Sequence, residues 1–186
     1  MKNRLIMITG PKHSGKSTVA GVLGRITGKE AVDLDEIVES TTGKNPRELY
    51  REGPEILKKA EEKALESLVK RQGRSDLIVA TGGGIIDNPG AVVLMTRHKE
   101  IVIVYLEVSP ETAWQRIVQT AGSGELPPFL NTENPRETHL TLHRRRADAY
   151  KKLAQFTVSG ENKRTIEIAK EIASLLGWDI IQPQET

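Results

Sequence analysis

An α/β fold on a parallel sheet is what this sequence predicts, and three observations carry it. Short apolar runs rich in β-branched residues recur along the chain beside glycine or turn signals, the pattern of strands buried on both faces. Helical patterns fill the intervals, so strand and helix alternate as in βαβ units with right-handed crossovers. A glycine-rich turn links the first apolar run to the first helix. The length of 186 residues suits one domain with a sizeable core. Residues 1–181 are assigned to that domain and 182–186 to a frayed tail.

The first strand, 5–8, is Leu5-Ile6-Met7-Ile8, too short for the core of a signal peptide and followed by no small-residue cleavage site. A helix over 16–27 places Val19, Ala20, Val22 and Leu23 on an apolar face. A weaker strand, 30–33, follows, then a helix over 54–71 and buried strands at 77–80 and 101–106. A helix is expected over 111–120. Residues 121–134 hold two glycines, two prolines and two asparagines, the composition of a loop. A loop that long in a compact domain is a lid or is disordered, and a lid is assigned here. A helix over 135–154, a strand at 155–158 and a helix over 163–176 complete the series, with Gly177 as the last helix's stop.

Composition narrows the function classes. The chain has no cysteine, which removes disulfides, thiolate metal sites and thiol nucleophiles. Lys+Arg is 27 against Asp+Glu 25, so a net charge of +2 gives little reason to expect a nucleic-acid or membrane-coating protein. No apolar run approaches the roughly 18 residues of a membrane span. A cytoplasmic monomer acting on a small molecule is expected. The cluster His143-Arg144-Arg145-Arg146 spreads its charges around a helix instead of forming a flat patch, so no nucleic-acid partner is assigned to it. His139 and His143 share a helix face, but no third metal ligand accompanies them.

Residues 10–17 read Gly10-Pro11-Lys12-His13-Ser14-Gly15-Lys16-Ser17, the G-x-x-x-x-G-K-[ST] pattern of a phosphate-binding loop, followed by Thr18. Successive backbone N–H groups in such a loop form an anion cradle, and the following helix adds its positive end. Lys16 is expected to reach the outer phosphates of ATP and Ser17 to offer its hydroxyl to Mg²⁺. His13 stands where many such loops carry glycine, and its ring is read as tolerated, not catalytic. Asp33 and Asp35 follow the second strand. They are either cleft carboxylates serving a metal and a hydroxyl proton, or a helix cap with Asp35 ahead of Glu36-Ile37-Val38. Gly82, Gly83 and Gly84 follow Thr81 at the end of the third apolar run, where glycines let a ligand approach the backbone.

Taken in order and spacing, these residues resemble the shikimate kinases, small P-loop kinases. The P-loop is followed by Asp33-x-Asp35, then Gly53 ahead of Leu57-Lys58 and Glu61. Val79-Ala80-Thr81-Gly82-Gly83-Gly84, Val104-Tyr105-Leu106 with Arg116 beyond it, Asn134-Pro135-Arg136-Glu137, and Arg146 four residues before Tyr150 continue the likeness over nearly the whole chain. The resemblance implies a three-layer sandwich: a five-stranded parallel sheet flanked by helices, of the P-loop kinase type. It implies ATP and Mg²⁺ as cofactors and shikimate, or a similar hydroxy acid, as substrate. In that frame Asp35 holds and deprotonates the attacking hydroxyl, and Asp33 supports Mg²⁺ through water. Gly82, Gly83 and Gly84 line the acceptor pocket, Arg146 and Lys58 bind the acceptor carboxylate, Arg116 lies near the nucleotide, and the loop 159–163 flanks the adenine.

The chain departs from that pattern twice. Lys58 stands where the family usually has arginine, which keeps the charge but loses the planar fork; an exposed helix lysine beside Lys59 is the alternative reading. The lid reads Leu126-Pro127-Pro128-Phe129-Leu130 in place of the family's Arg-Pro-Leu-Leu, and residues 121–130 contain no arginine or lysine. Either Arg136, Arg144 or Arg145 supplies that charge, or the acceptor is another small hydroxyl compound. Phe129 and Leu130 are read as an apolar cover or as anchors. A nucleotide-binding module without catalysis is a further alternative, against which Lys16, Ser17, Asp33 and Asp35 all stand.

Overall fold

The computed structural model describes residues 3–71, 75–122 and 125–181; the expected tail at 182–186 lies outside them. Five strands form one sheet: β1 Leu5–Thr9, β2 Glu30–Asp33, β3 Leu77–Ala80, β4 Ile101–Glu107 and β5 Phe156–Ser159. The order across the sheet is β2-β3-β1-β4-β5, and every pairing is parallel. Alternation along β1 sorts the core. Leu5 and Met7 point to one face and Ile6 and Ile8 to the other, and all four are buried.

The Ile6 and Ile8 face is covered by α1 (Lys16–Thr27) through Val19, Ala20 and Leu23, and by α8 (Thr165–Leu176) through Ile168, Ala169, Ile172 and Ala173. The opposite face receives α2 (Leu34–Thr42), α3 (Pro46–Glu52), α4 (Pro54–Lys70), α5 (Pro89–Arg97) and α7 (Pro135–Leu153), which bring in Val38, Leu49, Leu65, Met95 and Tyr150. Burying each such large apolar side chain contributes about 1.5–3 kcal/mol, so the two apolar layers hold the sandwich together. The remaining helix, α6 (Pro110–Ala121), packs against α7. The rings of Trp114 of α6, His139 and His143 follow one another in tilted contact, and the His139 ring nitrogen lies 2.9 Å from the Pro110 carbonyl oxygen.

Each strand predicted from the apolar runs is present, with β1 and β4 one residue longer and β5 one residue later. Gln155 stays outside β5 because its side-chain oxygen accepts from the Ile103 N–H at 2.6 Å. Helix α8 begins at Thr165 instead of 163, since Arg164 takes the cap position with Glu167 folded back onto its N–H at 2.8 Å. Gly177 ends α8 in the left-handed conformation (φ 68°), its N–H turned to Ala173 and Ser174 carbonyls.

Three helices, α2, α3 and α5, were not expected from periodicity. They are short, 9, 7 and 9 residues, and are fixed by caps more than by an apolar stripe. Asp33 caps α2, Asn45 and Glu48 form a capping box around Pro46 at the start of α3, and Asn88 caps α5 ahead of Pro89. Among its described residues, the loop assigned as a lid contains one 3₁₀ turn, Pro128–Leu130. Leu130 is fully buried and anchors it, which separates its role from that of Phe129.

Candidate active site

Everything with chemical character gathers at the carboxyl ends of the strands, where parallel sheets place their ligand sites. The P-loop leaves β1 and runs into α1. Lys16 is the first residue of α1, buried, with Nζ donating to the Pro11 carbonyl at 2.8 Å. Burial lowers its pKa to about 8, opposed by the nearby Asp35 charge. Such a lysine gains fully from an anion brought to it. The Ser14 hydroxyl is buried with no hydrogen-bond partner, a donor aimed into the loop and free for a phosphate oxygen. Ser17 Oγ donates to Asp33 Oδ2, so the two groups assigned to Mg²⁺ are already side by side. Nucleotide and metal therefore fit this loop on its own chemistry.

His13 holds a left-handed backbone (φ 60°) on the loop's outer side, its ring nitrogen 3.4 Å from Thr120 Oγ1. Burial and the Lys12 and Lys16 charges push it down to about 4, so it is neutral at physiological pH. Arg116 reaches over from α6 and donates to the carbonyls of His13 and Ser14, both at 3.3 Å.

The acceptor side is a cavity of about 570 Å³ lined by Lys12, Asp35, Lys58, Glu61, Gly82, Gly83, Gly84, Phe129 and Arg146 among others. Asp33, not Asp35, caps α2, accepting from the Asp35 N–H at 2.9 Å. That frees the Asp35 carboxylate for the cavity, where burial and then the Asp33 charge raise its pKa. The glycine turn closes the floor. A Cβ on Gly83 would stand 2.7 Å from the Lys12 backbone nitrogen, so only glycine lets the turn meet the P-loop.

Glu61 of α4 escaped the reading from residue chemistry. It is buried, accepts from Asn88 Nδ2 at 3.0 Å, and would lie 3.4 Å from a Cβ on Gly82. Burial pushes its pKa up to about 7, against the Asn88 hydrogen bond. The folded pKa lies above the ordinary 4.5, so the folded protein keeps a proton there that the unfolded chain releases. The stabilisation is complete below pH about 4.5 and is lost as pH rises through about 7. Glu61→Gln should therefore remove roughly 2–3 kcal/mol of the wild-type decline in unfolding free energy between pH 5 and 8, measured by denaturant titration. Identical pH slopes for the two proteins would refute this assignment.

The shikimate kinase family model matches residues 12–177. This chain belongs to the shikimate kinase family. The shikimate kinase of Vibrio campbellii is 31% identical over 176 residues, covering 94% of this chain and 97% of that one. The shikimate kinase of Actinobacillus pleuropneumoniae serotype 5b is 29% identical over 177 residues, covering 94% and 96%. Among solved structures, shikimate kinase from Acinetobacter baumannii in complex with shikimate superposes with a TM-score of 0.81 at 27% identity, covering 94% of this chain and 93% of that one.

The departures from the family pattern take definite form. Lys58 lines the cavity, its side chain 30% exposed and paired with Glu55 at 2.8 Å. Arg146 is held by Asp87, through Nε at 2.9 Å and Nη2 at 2.8 Å, and Arg145 shares the same carboxylate at 2.8 Å. Phe129 of the lid lies over the Arg146 guanidinium, 5.5 Å from it to the ring centroid. Of the three arginines weighed for the missing lid charge, only Arg145 lines this cavity. Arg136 pairs with Glu111 at 3.1 Å, and Arg144 lines a separate cavity beside Tyr105 and His143. Among the described residues no helix is long and apolar enough to cross a membrane.

Proposed function

We propose that this chain transfers the γ-phosphoryl group of ATP to a ring hydroxyl of shikimate, giving shikimate 3-phosphate. The observation that carries the reading is the single cavity that joins Lys12 and Asp35 to Arg146 and Lys58, which sets a phosphate-binding loop, a base and a carboxylate-binding end in one space. Membership of the family and the likeness to a shikimate-bound relative support the choice of acceptor.

Asp35 orients the attacking hydroxyl and takes its proton as the oxygen–phosphorus bond forms. The bond from phosphorus to the β–γ bridging oxygen breaks, and ADP leaves with that electron pair. Lys16, the loop amides and the Ser14 hydroxyl hold the phosphates throughout. Ser17 would hold magnesium, with Asp33 supporting it through water, and the ion would supply positive charge to the outer phosphates. Arg116, on the P-loop carbonyls, lies near the nucleotide, and the loop 159–163 flanks the adenine. Gly82, Gly83 and Gly84 form the wall against which the acceptor ring sits, and Arg146 with Lys58 receives its carboxylate. Activity as a monomer in the cytoplasm is part of the same proposal.

The test is a coupled ADP-release assay with shikimate varied. Arg146→Ala should raise the shikimate KM by roughly 10–100-fold, the worth of a hydrogen bond to a charged group. A silent Arg146→Ala would mean that the carboxylate is held elsewhere. Asp87, which engages Arg146 through two nitrogens, favours a second reading in which the acceptor is a less acidic hydroxyl compound. ATP turnover with neutral polyols but not with shikimate would select that reading.

A further inference from the structure

At the acceptor end of the cavity the cations already have acidic neighbours: Glu55 beside Lys58, and Asp87 beside Arg145 and Arg146. Arg47 does not. It stands in the first turn of α3 on the cavity wall. Among the described residues, none is hydrogen-bonded to or ion-paired with its guanidinium. Its charge acts on Lys12 and His13 of the P-loop, whereas Glu61, at the acceptor end, takes its cationic influence from Arg146. Arg47 thus belongs to the phosphate end of the cavity. There its charge adds to that of Lys12, which Asp35 and Asp33 offset in part, while among the described residues no acid is paired with Arg47 itself. Like charges gathered in a concave site repel one another, and an anion bound among them relieves that repulsion.

The helix that carries Arg47 is firmly set. The Asn45–Glu48 capping box fixes its start, and Leu49 is buried in the core. One turn on, Arg51 pairs with Glu125 of the lid at 2.7 Å, and α3 packs against the lid turn Pro128–Leu130. A rigid base with an unpaired planar fork suits bidentate recognition of phosphoryl oxygens.

We propose that Arg47 is a phosphoryl-binding residue whose guanidinium engages oxygens of the transferring γ-phosphoryl group, in a site whose lid segment 121–130 carries no cation. This rests on the kinase reading above and extends it to a residue that the motifs do not contain. The phosphate end of the site is then built from three chain segments: the P-loop, the start of α1 and the start of α3.

The experiment compares ATP and ADP, each with Mg²⁺, binding to wild type, Arg47→Ala and Arg47→Lys by calorimetry, with melting curves to verify folding. Arg47→Ala should lose roughly 10–100-fold in ATP affinity and less than about twofold in ADP affinity, and Arg47→Lys should recover part of the loss. An unchanged ATP-to-ADP affinity ratio overturns the proposal, and so does an effect confined to the acceptor KM, which would place Arg47 on the carboxylate. The binding measurement needs no acceptor. A protein inert toward shikimate that still shows the Arg47-dependent ratio would defeat the substrate assignment and leave Arg47 in place.

Discussion

Asp35→Asn is expected to lower phosphoryl transfer by about 10²-fold or more while leaving ATP affinity within about twofold. The substitution keeps the side chain's shape and removes its ability to take a proton. The geometry makes this separation clean. Asp33 accepts from the Asp35 N–H and caps α2, so the helix start survives the change. The Asp35 carboxylate faces the glycine turn, its oxygen 3.0 Å from where a Cβ on Gly82 would stand, on the acceptor side of the P-loop. Burial raises its pKa, which brings the base nearer to the working pH, and the Lys12 and Lys16 charges limit the rise. The acid limb of kcat/KM should accordingly lie above the ordinary carboxylate range and vanish in the variant. Steady-state kinetics from pH 4 to 8 together with ATP titration give both quantities. Loss of ATP binding with transfer intact would move Asp35 to the nucleotide side.

Lys16→Ala should cost roughly 10²–10³ in turnover at saturating ATP, the usual consequence of removing one preorganised charge from developing negative charge. Lys16 is buried, and its pKa is lowered to about 8 by that burial, so its proton is held weakly until phosphate oxygens arrive. Its hydrogen bond to the Pro11 carbonyl is a local one that phosphate exchanges for a stronger, charge-assisted contact. Turnover close to wild type in Lys16→Ala would remove the phosphate-loop assignment altogether, whatever the acceptor.

The strands were legible because a strand buried on both faces has a strong signal: Leu5-Ile6-Met7-Ile8 and Ile101 to Leu106 admit few other readings. The P-loop was legible because the phosphate cradle requires residue types at fixed spacing. Helices α2, α3 and α5 were not, since none is long enough to build a periodic stripe. Yet Asn45-Pro46-x-Glu48 and Asn88-Pro89 are start signals that reading for caps before periodicity would find. The acceptor side was legible in part. Asp35, Arg146 and the three glycines could be placed in order, but Asp87 and Arg47 look like ordinary surface charges until the chain folds. What singles them out is their company. Asp87 meets two arginines from a helix 58 and 59 residues away, and Arg47 lines the cavity with Lys12, its guanidinium paired with no acid among the described residues. Such relations are set by packing and have no local spacing to betray them.

The strand order also constrains how the molecule is made. Of the five strands β1 is made before the others but lies in the middle of the sheet, and its neighbours, β3 and β4, begin at Leu77 and Ile101. This fully buried strand must therefore wait for some 70 further residues before it gains its first partner. At synthesis rates of about 5–20 residues per second, that interval lasts on the order of seconds. During it, β1 presents two unpaired edges, the arrangement most prone to pairing with the wrong strand. Only the phosphate loop and α1 follow it closely enough to shield it, so α1 packing over Ile6 and Ile8 serves the nascent chain as well as the finished enzyme.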